Sequence, residues 1–140
     1  QDRVSILDFN VRTFPANRQE ILEAMIKIKN EIQPDLVFTP SSTDIHQDHG
    51  VIYKESLRAF KSASILGYEL PWNNTSFDSR YYIKLTENEV KKKVDAIIAY
   101  KSQSHRNYIQ EGFIRSLAKV RGVQCGYEYA EAYEVYRILS

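Results

Sequence analysis

Residues 44–49, DIHQDH, place four side chains that can bind a metal or transfer a proton within six positions. Imidazole and carboxylate groups are common zinc ligands, and a catalytic zinc typically takes three protein ligands and one water. His46 and His49 are three residues apart, so a turn or the first turn of a helix would bring both rings to one pocket. Asp48 can orient a histidine by accepting its second N–H, and Asp44 is a further oxygen donor or fixes the loop. The spacing alone makes both histidines candidate zinc ligands.

A purely structural role explains the same residues. Asp48 can cap a helix that begins at Gly50 and leave His46 and His49 in solvent, and short His/Asp motifs often occur without function. His105, the third histidine of the chain, stands far along the sequence. A metal site made within this chain alone would therefore be short of ligands.

Hydrolysis without a metal is a further interpretation, in which His46 and Asp48 form the acid–base pair. Ser41 and Ser42 are the candidate nucleophiles that stand nearest in the sequence. The chain lacks the G-x-S-x-G turn that exposes the nucleophilic serine of many hydrolases. This interpretation is therefore weaker than the metal-dependent one.

The composition of the 140-residue chain fits one globular domain with an ordinary hydrophobic core. A net charge of +1 provides no general attraction to nucleic acid or to an anionic membrane. The single cysteine, Cys125, excludes an intramolecular disulfide and a thiolate zinc cluster. No apolar run approaches the ~20 residues of a membrane span, and the start of the chain has no signal-peptide core. We therefore predict a cytoplasmic protein.

Strand-like and helix-like segments alternate along the chain, which predicts an α/β fold, a Rossmann-like three-layer sandwich with a mostly parallel sheet. In such sheets ligands bind beyond the carboxyl ends of the strands, and residues 44–49 directly follow the second predicted strand. The predicted strands are 4–9, 35–40, 64–70, 80–85 and 131–139. The predicted helices run from Asn17 to the residues before Pro34 and over 51–61, 87–103 and 107–119, with Thr86 and Glu89 as a capping box.

Four segments resemble, in order, motifs of the PIG-L/LmbE family of zinc-dependent N-acetylglucosaminyl deacetylases. PDLVFTPSSTDIHQDHG, residues 34–50, resembles the family's second signature, a Pro-Asp-hydrophobic strand followed by D-x-H-x-D-H. The other three are ILGYELPWNN at 65–74, KKKVDAIIAYKSQ at 91–103 and RGVQCGYEYAEAYEVYR at 121–137. Together they extend the resemblance over nearly the whole chain.

The resemblance implies an enzyme that removes the acetyl group from an N-acetylglucosamine-type sugar and leaves a free amine and acetate. It implies that His49 is a zinc ligand. His46 would protonate the leaving amine or stabilise the oxyanion, and Asp48 would support and orient His46. Zinc suits this reaction because it polarises a carbonyl and lowers the pKa of a bound water to about 7.

The family's first signature, A-H-P-D-D-E, does not occur in the chain. In the family it carries the other zinc ligands and the aspartate that acts as general base. We therefore expect residues 1–140 to be a single, N-terminally truncated LmbE-like domain that lacks the family's first strands. The remaining zinc ligands would lie upstream of Gln1, and this chain alone would be inactive. It would pair with the missing segment or with a second copy of itself.

The alternative to an enzyme is a carbohydrate-binding or assembly module that has lost the first metal motif. In either case, an N-acetylated amino sugar is the expected partner. We predict that Asp44, Trp72, Asn73 and Arg80 bind it, because aromatic rings pack on sugar faces and polar groups bind hydroxyls. Trp72 can equally be a packing residue, and Arg80 can be an ordinary residue of its strand.

Overall fold

The structure, a computed structural model, describes residues 4–140 as four helices and four strands with two short 3-10 turns. The strands are β1 (Leu36–Pro40), β2 (Ser64–Tyr68), β3 (Tyr81–Leu85) and β4 (Tyr129–Arg137). The helices are α1 (Arg18–Ile32), α2 (Gln47–Ala59), α3 (Glu87–Ile98) and α4 (Glu111–Cys125). The 3-10 turns span Lys101–Gln103 and Asn107–Ile109. The predicted α/β class is confirmed.

The four strands form one mixed sheet in the order β1-β2-β4-β3. β1 and β2 are parallel, whereas β3 and β4 are antiparallel. One helix, α2, connects β1 to β2 and returns the chain in the same direction. Two helices, α3 and α4, separate β3 from β4, so the chain comes back in the opposite direction. The predicted mostly parallel sheet is therefore wrong.

The chain divides into two compact units, one of the residues up to Phe77 together with Glu134–Ser140, the other of Asp78–Tyr133. The single domain over 1–140 stays a prediction. No helix within residues 4–140 is both long and apolar enough to cross a membrane.

The core of the first unit lies between β2 and the ends of α1 and α2. Its buried side chains are Leu22, Ala59, Phe60, Ala63 and Ile65. Helix α1 buries Ile21 and Leu22, and it ends at Gln33 in a left-handed conformation just before Pro34. It begins after Asn17 as predicted, but the Asn17 side chain does not cap it. The Asn17 amide donates instead to the Thr13 carbonyl oxygen at 3.1 Å.

The predicted strand over residues 4–9 is wrong. These residues are neither helix nor strand, and Val4 and Ile6 are 84% and 90% exposed. A strand requires a neighbour for its N–H and C=O groups, and no strand of the described chain pairs with this segment. The apolar run therefore has the composition of a strand but no neighbouring strand among the described residues to pair with.

In the second unit, the capping box predicted at the start of α3 is confirmed. The Glu89 N–H donates to Thr86 Oγ1 at 3.3 Å, and the Thr86 N–H donates to Glu89 Oε2 at 2.7 Å. Three predicted helix bounds are corrected, since α3 ends at Ile98, and α4 begins only at Glu111 and continues to Cys125. Gly122 lies so close to the Glu128 carbonyl that an added Cβ would be 2.6 Å from its oxygen.

A buried carboxylate joins α1 to α2. Glu55 is fully buried, and its two oxygens accept from Arg18 at 2.6 Å and Arg58 at 2.5 Å. Burial raises the pKa of Glu55, but the hydrogen bonds and charges of the two arginines outweigh it and hold this pKa below its ordinary value. The ion pairs therefore stabilise the folded protein only while Glu55 is ionised.

We expect Glu55→Gln to lower the free energy of unfolding at pH 7 by about 1.5–3 kcal/mol, the range for hydrogen bonds to charged groups. Because the folded pKa is depressed, the contribution of Glu55 is complete above about pH 4.5 and disappears as pH falls through the folded pKa. Urea unfolding between pH 7 and pH 3 should therefore show a smaller acid loss in the variant than in the wild type. The exposed Lys91–Asp95 pair offers the control Asp95→Asn, which should change little at pH 7. Equal acid losses in wild type and Glu55→Gln would contradict the expectation.

Candidate functional site

Two loops of the first unit meet at the carboxyl ends of β1 and β2, a place that we call the carboxyl edge. Residues 41–46 follow β1 and residues 69–76 follow β2, and the parallel pairing brings both to the same edge. The Ile45 N–H donates to the Asn73 carbonyl at 3.1 Å, and Asp44 and Asn74 form an isolated β-bridge. The edge is where open α/β sheets bind ligands. The predicted position of the DIHQDH cluster is confirmed.

Helix α2 begins inside the cluster, four residues earlier than predicted. Its cap is His46, whose Nδ1 accepts a hydrogen bond from the Asp48 N–H at 3.2 Å. Asp48 and His49 therefore lie in the first helical turn. The alternative in which Asp48 caps a helix at Gly50 is wrong, because the helix is capped by an imidazole two residues before Asp48.

Asp44 and His49 form the shortest polar contact between side chains of the cluster. His49 Nδ1 lies 2.7 Å from Asp44 Oδ2, and the Asp44 side chain is fully buried. The other oxygen, Oδ1, accepts from the His46 N–H at 2.8 Å. Asp44 therefore fixes the loop, which is one of the two roles predicted for it. Burial, and then the negative charge of Asp44, raise the pKa of Tyr68 at the end of β2.

The two imidazole rings of the cluster lie against each other. The ring centroids of His46 and His49 are 4.4 Å apart, and the ring planes differ by 23°. The His49 side chain keeps 31% of its surface exposed. Since Nδ1 of His49 faces Asp44, its Nε2 is the nitrogen that remains to bind a ligand.

Asp48 anchors the segment before α1 to the cluster. Its buried carboxylate accepts from the backbone N–H of Arg12 at 2.5 Å and of Phe14 at 3.3 Å. The Gln47 side-chain amide donates to the Arg12 carbonyl at 2.6 Å. The contact of Asp48 with His46 is thus made by the backbone N–H, while its carboxylate holds another segment.

Another buried carboxylate, Glu134, lies beside the loop after β1 and was not predicted. Glu134 accepts from the Ser42 N–H at 2.9 Å and from the Ser42 hydroxyl at 3.1 Å. The Tyr136 hydroxyl also donates to Glu134, and burial followed by this hydrogen bond raises the pKa of Tyr136. The Ser41 hydroxyl pairs with Thr43 at 3.0 Å. Neither serine hydroxyl is engaged by a histidine, so this geometry gives the metal-free interpretation no support.

The residues predicted to bind sugar are distributed over both units. Asp44 lies in the cluster, and Trp72 and Asn73 lie in the loop after β2, where Trp72 is 42% exposed. Arg80 belongs to the second unit, and its exposed guanidinium pairs with Asp78 at 2.8 Å. Substrate binding by these four residues stays a prediction. Asn74, in the same loop, connects the two loops: its amide oxygen accepts from the Leu70 N–H at 2.8 Å, and its NH₂ group donates to Thr43 Oγ1 at 3.1 Å.

The arrangement fits one position of a zinc site. Zinc-binding histidines almost always direct their other ring nitrogen to a carboxylate or carbonyl oxygen, and the Asp44–His49 contact has this form. Within residues 4–140, however, no three histidine, cysteine, aspartate or glutamate side chains are grouped to hold a metal. A catalytic zinc takes three protein ligands. The described residues therefore supply part of such a site and do not complete it.

Solved structures of other proteins share this fold. The N,N′-diacetylchitobiose deacetylase from Pyrococcus horikoshii matches 84% of this chain and 51% of its own, with a TM-score of 0.65 and 20% identity. The zinc-inhibited form of a teicoplanin deacetylase matches 95% of this chain and 56% of its own, with a TM-score of 0.69 and 18% identity. The 4-carboxy-2-hydroxymuconate hydratase from Pseudomonas putida KT2440 matches 87% of this chain and 61% of its own, with a TM-score of 0.70 and 18% identity. No protein-family model and no curated protein matches the sequence.

At these identities the matches show a common fold. The predicted resemblance to the PIG-L/LmbE deacetylases is confirmed at that level. The chain spans about half to three fifths of the length of these three proteins.

Proposed function

We propose that this chain forms part of a zinc-dependent de-N-acetylase that hydrolyses the acetamide of an N-acetylglucosamine-type sugar. The observation that carries the proposal is the Asp44–His49 contact of 2.7 Å at the carboxyl edge of β1. It prepares one imidazole as a metal ligand in a fold that two deacetylases share. The match with an N,N′-diacetylchitobiose deacetylase supports an N-acetylated amino sugar as the substrate class.

Each residue of the cluster has a role in this proposal. His49 contributes one zinc ligand, and Asp44 orients it. His46 donates a hydrogen bond to the oxygen on which negative charge develops or gives a proton to the departing amine. Asp48 holds His46 through its backbone N–H and binds the segment around Arg12 and Phe14 through its carboxylate. Zinc, when bound, would polarise the acetamide carbonyl and activate water.

The remaining zinc ligands and the general base are proposed to lie in the part of the fold outside this chain. The matched deacetylases are about twice as long as the portion that this chain covers. We use "completed protein" for this chain together with that remaining part. β1 is an edge strand of the sheet that the described residues form, and its Leu36 and Phe38 are 43% and 46% exposed. This open edge supports pairing with the remaining part or with a second copy.

The fold does not decide the reaction, because the hydratase from Pseudomonas putida has it as well. A non-catalytic carbohydrate-binding or assembly module is the second candidate. The observation that favours it is the lack of a third grouped metal ligand within residues 4–140. The two candidates differ in whether the completed protein consumes its sugar.

We expect the completed protein with zinc to release acetate from N-acetylglucosamine derivatives, and this chain alone to release none above background. Acetate production and the appearance of free amine measure the reaction, and a chelator should abolish both because zinc activates the water. Calorimetric titration with the same sugars provides the control. Sugar binding without acetate release by the zinc-loaded completed protein would favour the module and overturn the deacetylase.

A further inference from the structure

We infer that the cluster holds its two stacked histidines in opposite neutral tautomers, with the proton of His49 on Nδ1 and the proton of His46 on Nε2. Asp44 and the backbone N–H of Asp48 act as the positioning groups. The use of these tautomers in catalysis rests on the proposed function, whereas the assignment of the tautomers themselves rests on the hydrogen bonds of the metal-free chain.

The tautomer of His49 follows from its partner. Its Nδ1 lies 2.7 Å from Asp44 Oδ2, and an ionised carboxylate has only acceptors. A neutral ring must therefore carry its proton on Nδ1 to make this bond. The lone pair then stands on Nε2, which is the nitrogen that a metal can bind. Complete burial of the Asp44 side chain leaves its Oδ2 no solvent as a competing partner.

The tautomer of His46 follows from the start of α2. The Asp48 N–H is a fixed donor that points at His46 Nδ1 from 3.2 Å. The ring must accept at Nδ1, so a neutral His46 carries its proton on Nε2. The His46 N–H is itself bound to Asp44 Oδ1 at 2.8 Å, which fixes the backbone from which the ring extends.

The opposite tautomers give the two rings different chemistry although they stack only 4.4 Å apart. His49 presents a lone pair, as a metal ligand requires. His46 presents an N–H donor, which suits an oxygen that gains negative charge in the transition state. Of the two roles proposed for His46, this geometry favours oxyanion stabilisation. Asp44 links both assignments, because each of its oxygens holds one of the two residues.

Nitrogen-15 NMR of imidazole-labelled, metal-free protein, recorded at alkaline pH, tests the inference. A ring nitrogen with a proton and one with a lone pair differ strongly in chemical shift. We expect a protonated Nδ1 in His49 and a protonated Nε2 in His46. His105→Gln removes the third histidine signal and assists the assignment. Finding both rings of the cluster in the same tautomer would overturn the inference.

Asp44→Asn is the matched variant, because Asn can keep an oxygen for the His46 N–H while it turns an NH₂ donor toward His49. We expect His49 to move its proton to Nε2 in this variant and His46 to keep its tautomer. Asp48→Asn, which retains the backbone N–H, should leave both tautomers unchanged. If Asp44→Asn does not fold, as circular dichroism would show, the wild-type spectrum still decides the inference. Zinc binding plays no part in this readout, so a failed deacetylase assay would not affect it.

Discussion

Replacing His49 by alanine in the completed protein is expected to remove stoichiometric zinc and to lower kcat/KM for acetate release by about 10³-fold or more. The physical reason is that a catalytic metal contributes several kcal/mol of charge stabilisation, and each 1.36 kcal/mol is tenfold in rate. His49 is the ring whose Nδ1 is held by the buried Asp44 carboxylate, so its Nε2 is the proposed zinc ligand. Metal analysis of the purified variant and initial-rate kinetics measure both effects.

The matched control for His49→Ala is His105→Ala. His105 is exposed and lies in the second unit, so its loss should change neither zinc content nor rate. Thermal unfolding of both variants shows whether the fold survives. If folded His49→Ala keeps full zinc and wild-type kcat/KM, the role assigned to His49 is wrong.

His46→Gln is expected to lower kcat by about 10²–10³-fold, the loss typical for one oxyanion donor. It should leave zinc content and KM nearly unchanged, because the role proposed for His46 concerns charge that develops only in the transition state. The rings of His46 and His49 are 4.4 Å apart, so their positions do not show which of them binds zinc. A difference in zinc content between His49→Ala and His46→Gln would show it.

Metal analysis and a full kcat and KM determination on the same preparation of His46→Gln measure this separation. Wild type and His105→Ala, assayed in parallel, set the reference. Loss of zinc in folded His46→Gln would mean that both histidines are ligands, as the spacing of three residues first suggested. An unchanged kcat would remove His46 from the reaction altogether.

Local patterns predicted those parts of the fold that depend on local physics. The helix-like segment after Asn17 predicted α1, and the Thr86–Glu89 capping box predicted the start of α3. The position of DIHQDH followed from its place just beyond a predicted strand. The direction of β4 against β3 did not follow, because side chains alternate along a strand in the same way in either direction.

The contacts that form the site depend on how the chain folds, and the residue pattern alone did not predict them. Asp44 and His49 are five residues apart, and their bond depends on where α2 begins, which is at Gln47 rather than after Gly50. Ser42 and Glu134 are 92 residues apart, and only the folding of β4 brings the carboxylate to the loop. Residues 4–9 show the converse, since an apolar run predicted a strand that has no partner in the described chain.

A crystal structure of the zinc-loaded completed protein, with anomalous diffraction recorded at the zinc edge, tests the central claim most directly. We expect one strong anomalous peak at the carboxyl edge of β1, about 2.0–2.1 Å from His49 Nε2 as zinc–imidazole bonds require. Asp44 should remain on the Nδ1 side of that ring. A zinc peak that His49 does not contact would contradict the proposal that this chain forms part of a zinc-dependent deacetylase. A completed protein with no zinc at the carboxyl edge would contradict it as well.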